Sequence, residues 1–123
     1  MKTYFILVGS FFCAISLLLD AGNAHMFNAF LNQYQQSLIT LSTKFMFYHG
    51  IALFLAILIK MHVNISNKIH YFFTLGTMLF SGSLLAIVLF NEKKFGMITP
   101  FGGIMLIITW ILLGYNVTKK TTS

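Results

Sequence analysis

His49 is the residue in this chain whose type and setting most directly invite chemistry. It sits in KFMFYHGIALFLAILI (44–59), a run that is otherwise almost wholly apolar. A neutral imidazole deep in such a run needs a partner for its ring N–H. It could relay protons, hold a metal or ligate a haem. A metal or haem would want a second histidine or carboxylate at the same depth. His25 falls beyond the first apolar stretch, while His62 and His70 fall at the opposite surface. The remaining reading is structural: a hydrogen bond to a hydroxyl on another helix, with Ser81, Ser83 and Thr109 at suitable depths. His49, His25 and Tyr48 are thus the candidate functional polar residues. No catalytic set, cofactor or metal is expected, because P-loop, CxxC, HExxH and G-x-S-x-G patterns are all absent.

Asp20 and Lys44 form a second pair of interest. Two acids face eight lysines in the 123 residues, for a net charge of +6. An ionisable side chain within a membrane span is costly unless it is paired or hydrated. Helical rise places both residues about 4 to 6 Å below one surface. An Asp20–Lys44 ion pair is therefore expected between the first two helices. The competing reading has Lys44 snorkelling to the headgroups and Asp20 standing in water.

These side chains need a scaffold, and the composition specifies its class. Only 8% of residues are charged and 58% belong to the hydrophobic set, with a mean hydropathy of +0.84. Soluble domains carry roughly a quarter charged residues, so this chain lacks the polar surface to cover a soluble fold. No basic cluster with interleaved aromatics points to nucleic acid. Four apolar stretches, 4–19, 45–59, 71–90 and 98–115, compare with the ~20 helical residues that cross a hydrocarbon core of ~30 Å. The expected architecture is all-α: one membrane domain over 1–123, a four-helix bundle with spans near 4–23, 40–60, 71–90 and 99–116. Phe27, Phe30, Leu31, Tyr34 and Leu38 recur at helical spacing, so a short interfacial helix within 26–38 is expected between the first two spans.

Thr99-Pro100 reads as an N-cap followed by proline at the first helical position. Gly76, Ser81, Gly82, Ser83 and Ala86 make the third span small on part of its surface, and Gly102 and Gly103 do the same early in the fourth. Close helix packing is their expected use, with Gly82 and Ala86 forming a small-xxx-small pair. Four spans put both termini on one side with Lys2, Lys60, Lys68, Lys119 and Lys120, against Lys44, Lys93 and Lys94 on the other. Lysine excess marks the cytoplasmic side, so both termini are expected there. A cleaved signal peptide over the first stretch is the competing reading, with a poor cleavage site. Cys13 cannot form an intramolecular disulfide.

LGTMLFSGSLLAIVL (75–89) followed by ITPFGGIMLIITW (98–110) resembles the YgdD-like family of small four-helix membrane proteins, a domain of unknown function that includes animal transmembrane protein 256. DAGNAH (20–25) is similar to the family's GAFGAH-like end of the first helix, and Phe45 to His49 to its tyrosine-x-x-x-histidine. The resemblance implies a bacterial inner-membrane protein with no activity to carry over, and it puts His25 and His49 on recurrent histidines. Asp20, Asn23 and Lys44 depart from the pattern. The function expected is that of a non-enzymatic packing or accessory protein, contacting lipid and associating with itself or a larger complex. A small proton-coupled transporter using His49 is the alternative; its weakness is that the nearest carboxylate, Asp20, lies close to the surface.

Overall fold

The computed structural model describes residues 3–122, so Lys2 lies outside the described part. Four helices account for most of it: α1 (Tyr4–His25), α2 (Gln33–Lys60), α3 (Lys68–Phe90) and α4 (Thr99–Thr122). Each holds an apolar window long enough to cross a membrane. In lipid an unpaired backbone group is expensive, so an apolar run of this length closes its own hydrogen bonds as a helix.

The helix ends differ from the sequence reading in three places. Residues 26–38 do not form an interfacial helix. A three-residue 3-10 turn, Phe27–Ala29, leads directly into α2. The cause is the Asn32 cap: its side chain accepts from the Gln35 N–H at 2.8 Å while the Gln35 side chain accepts from the Asn32 N–H at 3.1 Å. This reciprocal capping box starts the helix seven residues before the expected 40. α2 is therefore about 42 Å long and rises past the hydrocarbon boundary into water. α1 also runs on to include His25, two residues past the expected end at 23. Thr99 is the first residue of α4 rather than its cap. The Ile98 carbonyl accepts from the Phe101 and Gly102 N–H groups, and the Thr99 hydroxyl meets Ser83 on α3.

Neighbours in sequence are neighbours in space: α1 packs on α2, α2 on α3 and α3 on α4. The two middle helices carry the core. Half of the α2 window is buried, against 17% for α1. Leu53, Ala56, Ile69 and Phe73 lie at its centre. Two glycine crossings set the closest approaches. A Cβ on Gly9 would stand 2.9 Å from the Gly50 carbonyl oxygen, and one on Gly50 would stand 2.8 Å from the Gly9 oxygen. Gly76 and Gly102 do the same for α3 and α4, where a Cβ on Gly102 would lie 2.9 Å from the Gly76 oxygen. The close helix packing expected at the Gly82–Ala86 pair is not made at Gly82 within this chain: Gly82 is exposed and a Cβ there would meet nothing within 4 Å. Gly103 faces the Phe80 ring at ordinary contact distance.

Between α2 and α3 the link is polar. The Ser42 hydroxyl donates to the Ser81 carbonyl at 3.0 Å, and Ser81 donates back to the Ser42 carbonyl at 2.9 Å. Both residues are buried, at 0% and 1% exposure. Inter-helix bonds of this kind within membranes contribute about 0.6 kcal/mol on average. Ser42→Ala and Ser81→Ala should each destabilise by about 0.5 to 1 kcal/mol in reversible mixed-micelle unfolding. A change under about 0.2 kcal/mol in both would show that the bonds merely replace equivalent ones in the unfolded chain.

Candidate functional site

His49 stands eleven residues from the Lys60 end of α2, about 17 Å along the helix, near the middle of the bilayer. It is 5% exposed. Its Nδ1 lies 2.7 Å from the Phe45 carbonyl oxygen, one turn earlier, and that carbonyl can only accept. Nδ1 therefore carries the proton, and Nε2 is left with a lone pair. The Trp110 indole N–H donates to that Nε2 at 3.0 Å. The two bonds together fix one neutral tautomer, because an imidazolium would present a second N–H to the indole donor.

The hydroxyls expected to partner His49 are used elsewhere. Thr109 donates to the Met105 carbonyl and Ser81 to the Ser42 carbonyl, while Ser83 donates to the Phe80 carbonyl and accepts from the Thr99 hydroxyl. Trp110 was missed because its place inside the fourth span gave no direction for the indole. The usable signal was depth: Trp110 lies eleven residues from the opposite end of its own helix, at nearly the level of His49.

Aromatic rings enclose the pair. Phe73 on α3 packs against both, with ring centroids 5.7 Å from His49 and 4.9 Å from Trp110, the latter edge to face. Phe45 stacks on Phe80 at 4.6 Å one turn away. Such pairs contribute about 0.5 to 1.5 kcal/mol beyond the area they bury. The site thus ties α2, α3 and α4 together at mid-membrane, and Trp110, 41% exposed, closes it on the outer side.

The other candidates do not converge on it. His25 is exposed at the end of α1. Tyr48 is exposed beside the α1–α2 groove. Asp20 and Lys44 line that same groove, but the ion pair expected between them is not formed. Both are exposed, and the Lys44 ammonium stands 6.0 Å from the Tyr48 ring centroid. Exposure explains it: at this depth a lysine reaches water or headgroups without paying to hold one geometry. No group of three or more His, Cys, Asp or Glu gathers at one place among the described residues. Among the described residues, the buried side-chain atoms Asn23 Oδ1 and His70 Nδ1 lack a hydrogen-bond partner.

Fold and site together define a small multi-pass membrane protein whose helices are joined by a buried polar–aromatic knot at mid-membrane. The chain belongs to the DUF423 family, described as "Protein of unknown function (DUF423)", whose model matches residues 19–103. It is similar to a UPF0382 membrane protein of Staphylococcus aureus, 33% identical over 110 residues that cover 89% of this chain and 90% of the relative. A UPF0382 membrane protein of Staphylococcus haemolyticus is 30% identical over the same shares. The UPF0382 inner membrane protein YgdD of Escherichia coli is 29% identical over 92% of this chain and 88% of the relative. No solved structure matches.

Proposed function

We propose that this chain is a non-enzymatic accessory protein of the bacterial inner membrane, with both termini cytoplasmic, that packs against itself or a larger membrane complex. The observation that carries this reading is how His49 is used. Both ring nitrogens are occupied, one by the Phe45 carbonyl and one by the Trp110 indole, inside an aromatic cage. A histidine that loads and unloads protons during transport needs a free position and a wet path. This one lines neither the groove between α1 and α2 nor the cleft at the α2–α3 loop.

Two further features support it. Gly82 and Gly114 present bare backbone outward with nothing within 4 Å, so a helix from another subunit could approach closely there. Lys60, Lys68, Lys119 and Lys120 gather at one end of the helices, against Lys44, Lys93 and Lys94 at the other, the bias of a cytoplasmic face. The inner-membrane assignment follows the name of the Escherichia coli relative.

Purification of the tagged chain from its native membrane in a mild detergent, with mass spectrometry of what accompanies it, is the test. A stoichiometric partner, or a stable homo-oligomer broken by Gly82→Leu, is the expected result. Proton or solute flux in proteoliposomes that is abolished by His49→Leu while the fold persists would overturn the reading in favour of a carrier.

A further inference from the structure

The groove between α1 and α2 carries opposite charges that do not neutralise one another. Asp20 lies sixteen residues along α1 from Tyr4, and Lys44 sixteen residues back along α2 from Lys60. At ~1.5 Å per residue each stands about 24 Å from that end of its own helix. A hydrocarbon core of ~30 Å therefore puts them just inside the far boundary, within snorkelling reach of the phosphate layer. The groove has a volume of about 410 Å³, and exposed Leu17 and Phe47 form its apolar wall.

Its serine and threonine hydroxyls are spent as donors within their own helices, and Tyr48 adds a neutral phenol to the lining. Ser16 donates to the Cys13 carbonyl, Thr40 to the Gln36 carbonyl and Thr43 to the Thr40 carbonyl. The Lys44 ammonium and the Asp20 carboxylate are left as the groove's positive donor and negative acceptor. Higher up, Asn23 on α1 donates to the Gln36 carbonyl and to Thr40 Oγ1, both at 3.2 Å. Those bonds join the two helices at the top of the groove and leave its open side toward lipid.

We propose that this groove seats the headgroup of a primary-amine phospholipid, of phosphoethanolamine type, in the leaflet away from Tyr4 and Lys60. Lys44 pairs with the phosphate, Asp20 accepts from the ethanolamine ammonium, and an acyl chain lies along Leu17 and Phe47. A phosphoglycerol headgroup gives Lys44 its phosphate but offers Asp20 only neutral hydroxyls in place of a cation. A choline headgroup supplies the positive charge without an N–H for Asp20. The proposal stands apart from the reading of His49 and would hold for an accessory protein or a carrier alike.

Native mass spectrometry of the delipidated chain in micelles tests it, with phosphatidylethanolamine, phosphatidylglycerol and phosphatidylcholine of identical acyl composition supplied in equal amounts. Phosphatidylethanolamine should be retained roughly fivefold over the other two, the scale of one or two exposed charge pairs. Asp20→Asn should erase the preference over phosphatidylglycerol, and Lys44→Gln should weaken both. Lys44→Arg and Asp20→Glu should keep the preference, which separates recognition from loss of fold. Equal retention of the three lipids, or a preference indifferent to Asp20→Asn and Lys44→Gln, would overturn the site. Glycerophosphoethanolamine binding as tightly as the lipid would overturn the assignment to a lipid.

Discussion

Gly102→Ala should destabilise the protein by about 1 to 3 kcal/mol, and Gly102→Val by more. The added Cβ would be driven onto the Phe80 backbone nitrogen, 2.9 Å from the Leu79 carbonyl carbon and 2.9 Å from the Gly76 oxygen. Every one of those neighbours is backbone, so no rotamer change relieves the contact and α4 must move off α3 as a body. Such a displacement also pulls Trp110, two turns along α4, away from His49. The same substitution at Gly82 is the control. A Cβ there meets nothing within 4 Å, and alanine is the better helix former by about 1 kcal/mol in water. Gly82→Ala should therefore be neutral or mildly stabilising for the isolated chain in reversible mixed-micelle unfolding. If Gly102→Ala matched the wild type, or Gly82→Ala cost as much as Gly102→Ala, the α3–α4 crossing described above would be misplaced.

This contrast also shows how far the sequence could be read. Gly76, Gly82, Gly102 and Gly103 all carried the same small-residue signal, yet only Gly76 and Gly102 lie at a backbone crossing. Spacing places small residues on a helix; it does not say which way the helix turns, since no alternation of polar and apolar faces exists when lipid and core are equally apolar. For that reason Gly9 and Gly50 escaped notice altogether. The two long apolar runs of α3 and α4 were legible because bilayer thickness alone dictates their length. The start of α2 was not, because a helix expected to stop at the membrane surface instead continues to a capping box built from Asn32 and Gln35. Residue type identified His49 as buried and in need of partners. Its partner could not be named, because a bond across 61 positions depends on the rotation of α4.

Breaking the His49–Trp110 bond is the second large effect. Trp110→Phe keeps the aromatic packing on Phe73 but leaves Nε2 of a 5%-exposed histidine without a donor. An unsatisfied buried acceptor costs about 1 to 3 kcal/mol. His49→Leu removes the acceptor instead and strands the indole N–H. The double variant removes both polar groups at once and should cost less than the sum of the singles. The coupling energy expected from the cycle is about 0.5 to 1.5 kcal/mol, the upper part of the range for hydrogen bonds within membranes. His49→Gln, whose amide can accept from the indole, should recover part of the loss seen in His49→Leu. The chain holds one tryptophan, so its fluorescence reports this bond without interference, and His49→Leu should move the emission to shorter wavelength as the indole loses its acceptor. Strictly additive singles together with an unmoved emission would mean that the two rings merely touch. The reading of His49 as a structural tie, on which the proposed function rests, would fall with them.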